Sequence, residues 1–224
     1  MKKAKLFRMA MTRIIMGLLV LGLIFFLPAG TMKYWHAWLY IGILFIPMSI
    51  ALVILINKDP DLLERRLRMK EKESPQKLII RLSWIFFLAA FIIPGFDFRF
   101  GWSEMPIWFV ISADFLILAG YIFFMFVIRE NSYASRIIEV EKEQRVIDTG
   151  PYSLVRHPLY SSILIMYLST PLALGSYWAM IAMLPLPVMI IFRILNEEEK
   201  LKKDLPGYRE YLEKVKYRVI PYIW

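Results

Sequence analysis

The chain alternates long apolar runs with short charged stretches. Nearly uninterrupted apolar segments occupy residues 9–28, 35–56, 78–93, 106–128, 159–174 and 178–195. Crossing the hydrocarbon of a bilayer takes about 20 helical residues, with a range of about 17–25. The second and fourth runs meet that length easily. The third and fifth fall short and need flanking residues or a locally thinner bilayer. Gly175 and Ser176, between the last two runs, leave room for only a tight turn and predict a helical hairpin. The expected fold is all-α, a polytopic integral membrane bundle of about six spans.

Charge orients that bundle. Lys2, Lys3, Lys5 and Arg8, the loop 58–77, the segment 129–156 and the C-terminal tail all fall on one side, whereas the other side has Lys33 and Arg99. Cytoplasmic loops carry the excess of Lys and Arg, which puts both termini in the cytoplasm. The leading MKKAKLFR looks like the start of a signal peptide, but no small-residue cleavage site of A-x-A type follows. The first run therefore reads as a retained span. Net charge is +9. Because the basic residues flank apolar runs, they read as orientation signals and contacts to anionic lipid, and no nucleic-acid partner is expected.

Between the runs, DLLERRLRMKEKE reads as a short helix that begins near Pro60, with Asp59 as its N-cap. PGFDFRFGW, residues 94–102, reads as an interfacial loop in which Arg99 pairs with Asp97 or Glu104. His36, between Trp35 and Trp38, belongs to an aromatic belt. Asp114 is an intramembrane carboxylate for which a structural pairing is expected.

Composition narrows the chemistry. Hydrophobic residues make up 58% of the chain and there is no cysteine, so a disulfide, a zinc–thiolate centre and a catalytic thiol are excluded. With two histidines, His36 and His157, no dedicated metal site is expected. The chain divides into a four-span region, 1–130, and a chemistry-bearing region, 131–224, that contains two unusual clusters. In one, Gly150-Pro151 is a turn signal and Pro158 suits a helix first turn, which sets His157 at a helix N-terminus on the membrane surface. Such an end favours a carboxylate or a phosphate. In the other, Arg193 lies at the end of an apolar run, four residues before Glu197 and on the same helix face. Ionisable residues at membrane depth are candidates for function. The hairpin brings both clusters to one pocket of Arg156, His157, Tyr160, Arg193, Glu197 and Glu198, open to a water-soluble cofactor on one side and to a lipophilic substrate from the bilayer on the other.

Gly-Pro-Tyr-x-x-Val-Arg-His-Pro-x-Tyr at 150–160, Arg-Ile-x-x-Glu-Glu-x-x-Leu at 193–201 and Gly-Tyr-x-x-Tyr at 207–211 resemble the isoprenylcysteine carboxyl methyltransferase family, relatives of the membrane phospholipid methyltransferases. The resemblance implies a multi-pass enzyme of the cytoplasmic membrane of a prokaryote that uses S-adenosylmethionine without a Rossmann domain. It implies a cofactor shell of Gln144, Arg145, Val146, Ile147, Tyr152, His157, Pro158, Leu159, Tyr160, Glu197 and Glu198, with Arg193 and Arg156 toward the substrate carboxylate and Arg193 and Glu197 as the catalytic pair. The chain departs from the family where Gln144 replaces a frequent His, and where Ser161 or Ser162 replaces a frequent Gly. Two alternatives stand beside carboxyl O-methylation. One is N-methylation of a phospholipid or other lipid amine, and the other is a small non-enzymatic transporter or scaffold.

Overall fold

A computed structural model describes residues 2–67, 74–134, 140 and 143–224, without the side chains of 2, 74–80 and 82. The described residues form nine α-helices and one 3-10 turn, with no strand among them. The helices are α1 (Lys2–Ala29), α2 (Trp35–Lys58), α3 (Pro60–Arg66), α4 (Ser74–Phe100), α5 (Ile107–Glu130), α6 (Pro158–Ala173), α7 (Tyr177–Met183), α8 (Pro185–Asp204) and α9 (Tyr208–Lys214).

Among the described residues, five segments are long and apolar enough to cross a membrane: α1, α2, the part of α4 from residue 83, α5, and α7 with α8 taken together. Helix α6 has 16 residues, about 24 Å at 1.5 Å per residue, and stands between α5 and α7 as the sixth, short span. The chain is thus an all-helical integral membrane bundle of roughly six spans. Helix α4 is the hub and packs on α1, α7 and α8; α1 packs on α2, α2 on α5, and α5 along the length of α6. The α5–α6 contact is close because of Gly120: a Cβ there would sit 2.7 Å from Met166 Cγ and 3.3 Å from the Ser162 carbonyl oxygen.

Two of the sequence boundaries shift. Residues 94–100 are not a loop, because α4 runs through Pro94 to Phe100. Proline is tolerated inside membrane helices, where neighbouring elements satisfy the backbone group it frees. Asp97 then lies buried and accepts hydrogen bonds from the Ser103 N–H at 2.7 Å and from the Ser103 and Ser176 hydroxyls. No Asp97–Arg99 ion pair occurs among the described residues; Arg99 lies over the Phe100 ring instead. The sixth run is likewise two helices, broken at Leu184 where Pro185 opens α8.

The expected tight turn is present. Gly175 takes a positive φ of 73°, and Ser176 caps α7 by accepting from the Ala179 N–H. Asp59 caps α3 as expected, accepting from the Leu62 N–H at 2.8 Å. The rest of that expected helix, residues 68–73, lies outside the described residues. His36 stacks on Trp35, with ring centroids 3.9 Å apart, as an aromatic-belt residue would. Asp114 does not have its expected partner: both carboxylate oxygens are buried without one among the described residues.

Candidate active site

Local sequence sets the frame. Gly150, with a φ of 53°, opens the 3-10 turn Gly150–Ser153; a Cβ there would sit 3.0 Å from Glu130 Cδ, and Thr149 bonds the same carboxylate. The turn holds Tyr152 against α5, where its hydroxyl accepts from Asn131 Nδ2 at 3.1 Å. Pro158 then starts α6 with His157 at the N-cap. The hairpin returns α8 so that Glu197 and Glu198 lie beside this N-terminus, and the break at Pro206-Gly207 turns the tail back across both.

Two networks result. The inner one centres on Glu198, which is 2% exposed. Its Oε1 accepts from Arg156 Nε at 2.8 Å and from His157 Nε2 at 3.3 Å, and its Oε2 accepts from Arg218 Nε at 3.1 Å. Arg156 Nη1 also donates to the Val215 and Lys216 carbonyls at 2.7 and 2.6 Å. Main-chain bonds continue the join, from Arg156 N–H to Tyr217 O and from His157 N–H to Arg218 O. A buried charge needs both a partner and further hydrogen bonds, and Glu198 and Arg156 have both. Arg156, expected at the substrate, is instead committed to Glu198 and the tail and is 7% exposed.

The outer network is partly exposed. The Tyr160 hydroxyl donates to Glu197 Oε2 at 2.6 Å and accepts from Arg193 Nε at 2.8 Å. One phenol thus links the two residues that share a face of α8. The expected cofactor segment 144–147 has no regular secondary structure, and its Val146 packs against the cluster of Leu205, Tyr208, Tyr211 and Val215 of the tail. The Tyr211 hydroxyl donates to the Tyr152 carbonyl at 2.7 Å. Leu159 goes elsewhere: its side chain packs with Leu62, Ile128 and Phe124, on the α3–α5 side of α6. Ser161 donates to Val219 O at 2.7 Å and so adds a tie to the tail.

Tyr208 has a place that the sequence reading did not assign. It is 4% exposed, and its hydroxyl has no partner among the described residues. Burial, and then the charges of Glu198 and Glu197, push this phenol well above its usual range. Burial, with Glu197 and Glu130 adding to it against Asn131 and Arg66, pushes Tyr152 up to about 12. Both phenols are therefore neutral donors near pH 7. The only sequence signal for Tyr208 was the Gly-Tyr-x-x-Tyr spacing, which says nothing about where the hydroxyl points.

Residues 108–205 match the phospholipid methyltransferase family, the family of the isoprenylcysteine-type membrane methyltransferases. The match runs from the first turn of α5 through the end of α8 and includes both networks apart from their tail residues. No curated protein matches the chain in sequence. The apolar helices and the family match over 108–205 together point to an integral membrane methyltransferase.

Proposed function

We propose that the chain transfers a methyl group from S-adenosylmethionine to the carboxylate of a lipophilic substrate, an isoprenylcysteine or a similar amphiphile. The observation that carries the reading is the division of labour between the two networks. Glu198 is neutralised by basic residues and lies out of reach, whereas Arg193 and Glu197, bridged by the buried Tyr160 hydroxyl of α6, form a partly exposed polar face of α8.

The residues present fit the cofactor. A buried hydroxyl without a partner carries an unmet hydrogen-bonding requirement, and Tyr208 places one beside two carboxylates. Tyr208, Glu197, Tyr152 and the backbone of 144–147 would hold the cofactor's polar groups, with Glu197 facing its ammonium or ribose end. When bound, the cofactor supplies an electrophilic methyl on a sulfonium.

The protein then has to align and desolvate. A substrate carboxylate is ionised at neutral pH, with an ordinary pKa of about 4, so the site needs no general base. Arg193 orients that carboxylate, and Tyr160 fixes the arginine by accepting from its Nε. The apolar residues around Tyr160, among them Ile190 and Ile194, exclude water where positive charge is neutralised as the methyl transfers.

The family's name favours a second reading, in which the acceptor is a phospholipid amine. An ammonium must lose a proton before attack, and Glu197 would be the base, since both Glu198 oxygens are engaged. Purified protein supplied with tritiated S-adenosylmethionine and, separately, a farnesylated N-acetylcysteine and phosphatidylethanolamine distinguishes the two. Methyl esters release tritiated methanol in alkali and methylamines do not. Alkali-labile label on the prenylcysteine is the expected result; alkali-stable label on the phospholipid alone would overturn the carboxylate assignment.

A further inference from the structure

The last residues of the tail form a folded apolar knob that neither network uses. Val219 and Trp224 pack into the apolar cluster of Tyr160, Ile190 and Ile194, at the site-bearing end of α6 and α8. Between them the chain turns outward, leaving Ile220 46%, Tyr222 87% and Ile223 76% exposed, with Pro221 also exposed. We infer that residues 220–223 are a wedge that inserts into the leaflet on the site-bearing face and sets the depth of the tail against the bilayer.

Three observations support this. First, the base of the knob is closed on itself. Trp224 O accepts from the N–H groups of Arg218, Val219 and Ile220, while the N–H groups of Ile223 and Trp224 donate to Ile220 O. Pro221 has no N–H. The Tyr222 N–H and the carbonyls of 221–223 have no backbone partner among the described residues, so the tip suits the headgroup–acyl boundary, where polar groups remain to bond them, rather than the mid-hydrocarbon. Second, Tyr222 holds a φ of 65° at the tip of the knob. A bulky residue in the left-handed region is a costly outlier, kept here where an aromatic ring with a polar end suits the headgroup boundary. Third, two exposed cations precede the knob in the chain, Lys216 and Lys214, the latter 70% exposed and 3.7 Å from Asp148 Oδ2. An apolar tip beside cations is the pattern of interfacial anchors that meet anionic lipid.

The occupant we assign is the protein's own bilayer. The inference stands apart from the choice of methyl acceptor. Because Tyr217 O and Arg218 O receive the N–H groups of Arg156 and His157, a wedge so placed would also fix the height of the site above the acyl chains.

The absence of native cysteine makes the test direct. Tyr222→Cys and Ile223→Cys, with Glu213→Cys on the exposed side of α9 as reference, are spin-labelled in the full chain. The proteins are then reconstituted in phosphatidylcholine–phosphatidylglycerol nanodiscs, and relaxation by oxygen, which concentrates in lipid, is compared with relaxation by a water-soluble nickel chelate. Oxygen exceeding nickel at 222 and 223, with the reverse at 213, is the expected result. Nickel exceeding oxygen at 222 and 223 would overturn the wedge. So would shielding from both reagents with spin–spin broadening, which would mean that a second copy of the chain covers the knob.

Discussion

Replacing Glu198 with Ala removes the one carboxylate facing Arg156, His157 and Arg218. Arg156, 7% exposed, is then left with two carbonyls and no counter-charge. Removing one partner of a buried ion pair costs about 3–5 kcal/mol, more than the roughly 1 kcal/mol of a lost neutral hydrogen bond or the roughly 0.5 kcal/mol of an ordinary surface substitution. Arg218, more exposed, can turn outward, so the cost falls mainly on Arg156. Thermal unfolding in detergent, followed by fluorescence-detected size exclusion, reads the loss. Arg156→Met should cost about as much, for it leaves Glu198 buried with only His157 and the half-buried Arg218 beside it. The Arg156→Met/Glu198→Met double variant should be more stable than the sum of the single variants implies, because replacing a whole buried pair with apolar side chains is close to neutral. Strictly additive losses, or wild-type stability in Glu198→Ala, would refute the pillar role argued for this pair.

Three further outcomes follow from the same geometry. Arg193→Ala should lower turnover about a hundredfold, as expected when a reacting group loses its orientation, while leaving S-adenosylhomocysteine affinity unchanged by calorimetry. Tyr208→Phe should leave the thermal midpoint of the ligand-free protein unchanged or raised, since it deletes an unsatisfied hydroxyl, yet should weaken S-adenosylhomocysteine binding by about 1 kcal/mol, the worth of one hydrogen bond. Asp114→Leu should raise the thermal midpoint, because the substitution removes a buried carboxylate with no partner among the described residues; a lower midpoint would point to a partner for Asp114 in the membrane-embedded protein.

The span count and the hairpin were legible because they rest on local signals, namely the length of apolar runs and the Gly175-Ser176 turn. The extension of α4 through Pro94 was not. Proline reads as a breaker in water, and only the surrounding bundle makes it tolerable. The break at Leu184 was hidden by an apolar run that continues through it. Motif spacing brought His157, Tyr160 and Glu197 into one pocket, since they sit at facing ends of a short hairpin. The fate of Arg156 depended on carbonyls 59 and 60 positions away, and nothing in the local pattern encodes such a contact. Asp114 failed for the complementary reason. A partner was expected because an intramembrane charge needs one, and the described fold does not supply it.

The central claim is that the start of α6, the end of α8 and the tail form one cofactor site. Calorimetric titration of the purified full-length protein with S-adenosylhomocysteine, in parallel with the Glu197→Gln variant, tests it most directly. Saturable binding to the wild type at one site per chain, weakened in the variant with thermal stability retained, is the expected result. Absence of binding to folded wild-type protein would contradict the account, as would binding that is indifferent to Glu197.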